Sequence, residues 1–469
     1  MAVIDHVIVL MLENRSFDSI LGRLYQPAGP TFDGLTGNES NMWNGAPIPV
    51  GTRHGMDPAV MTIPTPDPGE NFVDMNEQIF GNADATGPAT MGGFVSNYMK
   101  QDPSHDPHAV MHGFTDEQVG VISALGRGFG VSDRWHASAP NQTWPNRFFI
   151  HTGTGGGYVN NSARHAPYTM PTIYNRLTDK GRSWRIYYHD VPHSKLLYRI
   201  WSQPDNFHEI DDFYDDAHND NLPSYSFIEP RYFPLLGHPN DQHPPHDVGH
   251  GEKLIADCYS ALRRSPAWER LLFIITYDEH GGIYDHVKPP PAVSPDAFHP
   301  DGFAFDRYGV RVPAVLISPW IPPGSVIRPP AGTPHPFDHT SVLATLRNLF
   351  SLDSLTARDA AAPDLLHALS LPNPTNGGPA QLPVPVAAPA PADLRALQQA
   401  PPNANQRELA KAAMLMPPNA ARAEEHKNAL KAVKEPPALP DPATAGEAAR
   451  RAIAGMRRLT KGAAAAPDF

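Results

Sequence analysis

Apolar positions along the chain fall in short continuous runs separated by long polar loops. The first run, Val3-Ile4 and then Val7 to Leu12, is long enough for a buried strand and stops at Glu13-Asn14-Arg15. The clearest run, "LLFIITYDEHGG" at 271–282, does the same, ending in Asp278-Glu279-His280. Shorter strand-like runs lie at 183–190 ("SWRIYYHD"), 224–230 ("SYSFIEP") and 310–320 ("VRVPAVLISPW"). Between them sit helical patterns. One begins at Thr143-Trp144-Pro145, where proline suits a first helical turn. Another places Leu254, Ile255, Cys258 and Leu262 at helical spacing. Helices alternating with apolar strands predict an α/β sandwich with a largely parallel central sheet flanked by helices. In such sheets chemistry gathers at the carboxyl ends of the strands.

The character of the chain changes near residue 370. Residues 1–371 read as one large domain. Residues 372–469 include "LPVPVAAPAPADLRALQQAPPNANQ" from residue 382 and read as a Pro/Ala-rich linker and helical extension, with marginal helices near 405–416, 419–434 and 445–460. Docking of these helices on the core and disorder are both open on sequence grounds. The tail carries twelve Lys/Arg and eight Asp/Glu against a net charge of -12 for the whole chain. That balance excludes global attraction to nucleic acid and leaves only peripheral contact with a membrane surface to consider. The single cysteine, Cys258, excludes an intramolecular disulfide. No signal peptide and no run of about 20 apolar residues is read, so the expected location is cytoplasmic or reached by signal-independent export.

Candidate chemistry concentrates at two strand ends. If the first strand and the 271–276 strand are parallel neighbours, Glu13, Asn14, Asp278 and Glu279 converge, and carboxylates that close need a cation between them. "SAPNQTWPNRFFIHTG" adds Thr143 at a helix start, where free backbone N–H groups favour phosphate. Thr143 is either an N-cap or, beside a metal, a nucleophile, with Ser138 as its rival. Asn141, Asn146 and Arg147 stand ready to hold phosphate oxygens. Of the 23 histidines, His105, His243 and His286 are the candidates for phosphate contact or proton transfer, while His108, His250, His280 and His339 read as structural.

Seven motifs occur in an order that resembles the bacterial phosphoesterase family of phosphatidylcholine-type phospholipases C and acid phosphatases, within the alkaline phosphatase-like superfamily. They are "VIVLMLENRSFDSILG", "HDPHAVMHG", "PNQTWPNR", "DVGHGEKLI", "TYDEHGGIYDHVKPP", "GVRVPAVLISPW" and "FDHTSVLATL". The resemblance covers roughly residues 1–370. It implies a three-layer alkaline phosphatase-like sandwich and a two-step, metal-assisted hydrolysis through a phospho-enzyme. By motif, Thr143 matches the nucleophile, and Glu13, Asn14, Asp278 and Glu279 match the metal ligands, with Thr143 completing the set. His105 falls in the HDP motif and His243 near the HP element, for contact with phosphate or leaving group.

The expected cofactor is one divalent ion, Zn, Ca or Mn, and the expected substrate a phospholipid or a small phosphate ester. A threonine nucleophile points to phospholipase C, with a broad-specificity acid phosphatase as the alternative and a non-catalytic effector on the same fold as a third reading. Trp43, Phe94, Tyr98, Trp135 and Trp144 are candidates for either an apolar entrance or core packing.

Overall fold

A computed structural model describes residues 3–26, 31–383, 391–416 and 439–461. Its centre is an eight-stranded sheet. In chain order the strands are β1 (His6–Leu12), β2 (Gly130–Val131), β3 (Trp184–Tyr188), β4 (Phe207–Glu209), β5 (Tyr225–Glu229), β6 (Leu271–Tyr277), β7 (Ala314–Ile317) and β8 (Ser325–Val326). They lie side by side as β8-β2-β7-β6-β1-β5-β3-β4. Only β7 runs against the others. The 310–320 run yields a strand only over 314–317 because Pro313 and Pro319 cannot donate to the ladder.

β1 and β6 occupy the middle of the sheet, and every residue from Val7 to Leu12 and from Leu271 to Tyr277 is buried. Strands covered on both faces read as unbroken apolar runs, which is why these two stood out. Each fully buried aliphatic side chain contributes about 1.5–3 kcal/mol over exposure. That burial anchors the charged residues at both strand ends. Helices flank the sheet: α1 (Phe17–Ile20), α2 (Thr143–Thr152), α3 (Val248–Arg264) and α4 (Thr340–Phe350). α3 buries Leu254, Ile255, Cys258 and Leu262, the stripe its spacing predicts. No helix among the described residues is long and apolar enough to cross a membrane.

After residue 390 come α5 (Pro391–Gln399), α6 (Ala404–Met414) and α7 (Ala445–Lys461). α6 and α7 match two of the expected helices, the 419–434 helix lies outside the described residues, and α5 falls in what reads as linker. α6 and α7 pack through small residues. α6 buries Leu409, Ala410, Ala412 and Ala413, and α7 buries Ala448, Ala449, Ala452 and Ile453. A side chain at Gly455 would meet the Ala413 carbonyl at 2.4 Å. Small residues let helix backbones approach closely, so this pair needs no aromatic core.

Candidate functional site

Parallel pairing of β1 with β6 runs in register from His6↔Leu271 to Leu12↔Tyr277. Glu13-Asn14 and Asp278-Glu279 therefore leave the sheet side by side, and all four are fully buried. The two turns are stitched together. Asn14 N donates to Asp278 Oδ1 at 3.1 Å, and Glu279 N donates to the same oxygen at 2.8 Å. Asn14 adopts φ 52°, a left-handed conformation that asparagine tolerates better than most residues. Gly281, at φ 63°, packs so close that a Cβ would lie 2.4 Å from the Asn14 carbonyl oxygen.

α2 delivers the next groups. Arg147 is buried, its Nε 3.1 Å from Glu13 Oε1 and 3.4 Å from Asp278 Oδ2, and its Nη2 donates to the Met11 and Leu12 carbonyls. Arg147 thus spends most of its donors binding the two strand ends together, and Nη1 is left without a hydrogen-bond partner. Thr143 lies one turn earlier on the same helix face, at i−4 from Arg147. The N-cap is Gln142, whose side chain makes no capping bond, so Thr143 is the first helical residue and not a cap. Its Oγ1 is buried and unpartnered. Ser138, the rival hydroxyl, instead donates to Asp338 Oδ2 at 2.7 Å. Asn146 is consumed by the loop before α2, donating to Ala139 O and to both oxygens of Asn141. Asn141 keeps a free donor, because its Nδ2 is buried without a partner.

Two loops close the site, and they bring Asp67, Glu70 and Asp241, which the sequence reading passed over, beside the expected His243. Asn14 Nδ2 donates to Glu70 Oε1 at 2.6 Å. Ligand atoms of Asp67, Glu70 and His243 lie within 4.8 Å of one another. Asp241 accepts from His246 Nδ1 at 2.7 Å and from His243 N at 3.2 Å, and its carbonyl accepts from Glu13 N at 2.8 Å. Asp67 and Glu70 belong to "PDPGE", a Pro/Gly loop with no strand before it, so only their acid content marked them. Gly282, also left-handed, allows this loop to approach. A Cβ there would meet Pro68 Cβ at 2.7 Å and the Gly69 carbonyl at 2.8 Å.

Electrostatically the site has a surplus of acids. Burial pushes Glu13 well above the usual carboxylate range although Arg147 opposes it, and Asp278 rises to about 6 for the same reasons. Burial and the neighbouring Glu70 raise Glu279 and Asp67 well above theirs. Burial disfavours a charged His243, but Asp67 and Glu70 outweigh it and hold the imidazole well above its ordinary value.

His105 and His286 make their contacts elsewhere. His105 Nδ1 lies 3.2 Å from the Tyr98 carbonyl and its ring packs on Tyr98. His286 sits between Asp18 Oδ2 (2.7 Å) and Asp33 Oδ1 (3.2 Å), which, against the cost of burial, raise it to about 10. Beside it, buried Arg311 pairs with Asp18 at 3.0 Å and Asp285 at 2.9 Å. That second acidic cluster already has its cation. We expect Arg311→Ala, which leaves buried Asp285 without its cation and Asp18 with His286 alone, to lower stability by about 3–5 kcal/mol in urea unfolding. His280 bonds to Gln78, and His339 Nε2 meets the Asp278 carbonyl at 2.7 Å, supporting the β6 turn from behind. Phe94, Tyr98, Trp135 and Trp144 are core residues, all fully buried, and Trp43 is half-buried.

The donor set suits a hard divalent cation. Asn14 Oδ1, Asp278 Oδ2, Glu279 Oε1 and Thr143 Oγ1 are each buried with no hydrogen-bond partner, and native interiors rarely leave such atoms unsatisfied. All are oxygens, and the surrounding acids have charge to spare.

A family model described as the phosphoesterase family matches residues 4–353. The chain belongs to the phosphoesterase family. As such it is a phosphoric ester hydrolase, which sets aside the non-catalytic reading. Among curated relatives, non-specific phospholipase C6 of Arabidopsis thaliana is 40% identical over 400 residues, covering 81% of this phosphoesterase and 75% of the relative. Non-specific phospholipase C1 of the same plant is 42% identical over 378 residues, 76% and 69% of the two chains. Phospholipase C B of Mycobacterium tuberculosis is 29% identical over 437 residues, covering 80% and 79%. Among solved structures, an alkaline phosphatase superfamily protein from Vibrio parahaemolyticus is similar at 11% identity over 52% of this chain and 63% of its own, with a TM-score of 0.32.

Proposed function

We propose that this phosphoesterase is a cation-dependent phospholipase C that cleaves phosphatidylcholine-type phosphodiesters through a phospho-threonine at Thr143. The observation that carries the reading is the set of four orphaned oxygens on Asn14, Thr143, Asp278 and Glu279. With Glu13 they are the residues that would hold the ion. A divalent cation there would neutralise phosphate charge and lower the pKa of a nearby hydroxyl. The chain's own residues do the rest. Thr143 Oγ1 forms a bond to phosphorus as the P–O bond to the alcohol breaks, its proton passing to the surrounding carboxylates. The unpartnered Asn141 Nδ2 stabilises the phosphoryl oxygens, while the Trp144 N–H at the start of α2 is already donated to Asn161 Oδ1. His243, whose Nε2 has no hydrogen-bond partner, gives the leaving alcohol its proton. Water then cleaves the phospho-threonine and restores the hydroxyl. His105, Arg147 and His286 serve such a cycle only indirectly, given where their contacts lie.

Two observations favour a lipid diester over a small monoester. The relatives named as phospholipases C cover most of the chain. A mainly apolar cleft of about 390 Å³ lies between α5 and the 238–250 loop, walled by Pro239, Pro245, His246, Ala396 and Leu397. It adjoins the loop that carries His243.

The test is turnover of p-nitrophenylphosphorylcholine and p-nitrophenyl phosphate before and after chelation. We expect the diester to be preferred and chelation to cost about 10³-fold, since the ion is worth several kcal/mol of charge stabilisation. Re-addition of Ca²⁺ or Mn²⁺, which suit oxygen ligands, is expected to restore activity ahead of Zn²⁺. A preference for the monoester would move the protein to the acid phosphatase branch.

A further inference from the structure

Behind Glu13 stands a residue from the far end of the chain. Asn405 is the second residue of α6, only 2% exposed, and its Nδ2 donates to Glu13 Oε2 at 3.0 Å and Oε1 at 3.3 Å. Its orientation is fixed by chemistry. The indole N–H of Trp144 can only donate, and it lies 2.9 Å from Asn405 Oδ1. His193 Nε2 reaches the same oxygen at 2.9 Å, while its own backbone N–H donates to Glu229. The amide oxygen therefore faces Trp144 and His193, and the NH₂ group must face the carboxylate.

The helix that carries Asn405 is itself held firmly. Asn403 and Gln406 form a reciprocal cap at its start. Gln406 Nε2 donates to the Tyr232 carbonyl at 2.7 Å, and Glu408 accepts from Ala163 N at 2.8 Å. Glu13 thus has Arg147 on one flank and Asn405 on another, and the two hold both carboxylate oxygens in one orientation.

We infer that Asn405, carried in by the C-terminal extension, is a positioning residue that orients Glu13 for cation binding. The inference rests on the reading of Glu13 as a ligand. A neutral donor is what this place requires. It keeps the carboxylate aimed without competing for it, as groups bonded to metal ligands do elsewhere. An aspartate here would add a negative charge against Glu13, and a leucine would match the volume with no donor.

The experiment is calorimetric titration of chelator-stripped, full-length protein with Mn²⁺ alone, repeated with Ca²⁺ and with Zn²⁺, alongside melting curves in chelator. Wild type, Asn405→Leu, Asn405→Asp and Leu409→Ala are compared. Leu409 is buried on the same helix and has no polar group to offer Glu13, so it reports on loosening alone. Affinity lowered by about 10–100-fold in both Asn405 variants, with Leu409→Ala melting earlier but binding within threefold of wild type, is the expected result. Asn405 variants that melt earlier yet bind as tightly as wild type would overturn the positioning role and leave the cation reading intact. Wild type that binds none of the three ions would overturn both. If the Asn405 variants do not fold, Trp144→Phe carries the test. It removes the donor that sets the amide's orientation, and unchanged affinity there would also sink the inference.

Discussion

Thr143→Ala is expected to lower turnover of p-nitrophenylphosphorylcholine by about 10⁴-fold or more, the range seen when an activated nucleophile is deleted. The protein should stay folded. The hydroxyl makes no hydrogen bond within the chain, so nothing is left unsatisfied when it goes, and the alanine methyl occupies the same first-turn position. Bound metal, measured on the same sample, should be retained through Asn14, Asp278 and Glu279. Thr143→Ser keeps an Oγ in place and should retain most activity, while trapping of labelled phosphate should mark wild type and the serine variant but not the alanine. An alanine variant with wild-type turnover would eliminate the covalent route and turn attention to a water nucleophile. Ser138 is a poor substitute, because its proton is already given to Asp338.

Gly281→Ala is expected to cost both stability and turnover without touching a functional group. The added Cβ would sit 2.4 Å from the Asn14 carbonyl oxygen, 2.9 Å from its carbon and 3.0 Å from its Cβ, on a backbone whose φ of 63° already disfavours any side chain. None of those atoms is the end of a flexible side chain, so the β1 and β6 turns must move apart. We expect a stability loss of about 2–4 kcal/mol by urea unfolding and a fall in turnover of about 10²-fold, the usual result of displacing a reacting group by an ångström. Separating the two matters: turnover per folded molecule should fall even where the variant is fully folded. Equal turnover per folded molecule would mean that the spacing of Asn14 from Asp278 is immaterial.

Much of the scaffold was readable because its central strands are buried on both faces. β1 and β6 show as unbroken apolar runs, and acids at the end of such runs are conspicuous. That Glu13, Asn14, Asp278 and Glu279 meet follows from one pairing, β1 with β6 in parallel. Residues held by loops were harder. Asp67 and Glu70 lie in a loop of three prolines and one glycine with no periodicity to place them. His286 looks like any other histidine among acids, and only the fold reveals that it shares Asp18 with Arg311. Arg147 reads as a phosphate ligand, and the fold shows what sequence could not: its Nε and Nη2 are turned to the end of β1, with Nη1 left unpartnered. Asn405 was the least visible. It is one amide in a Pro/Ala-rich stretch, and its partner is 392 residues away.

That distance has a consequence during synthesis. β1 leaves the ribosome well ahead of α6, and the donor that completes the shell of Glu13 follows it by 392 residues. At about 5–20 residues per second, the interval is roughly 20–80 s. Throughout it the strand end carries a carboxylate whose final partner does not yet exist, and the sheet must hold the place open. A nascent or prematurely terminated chain can therefore assemble its strands while lacking this contact. Completion of the Glu13 shell is tied to the synthesis of α6.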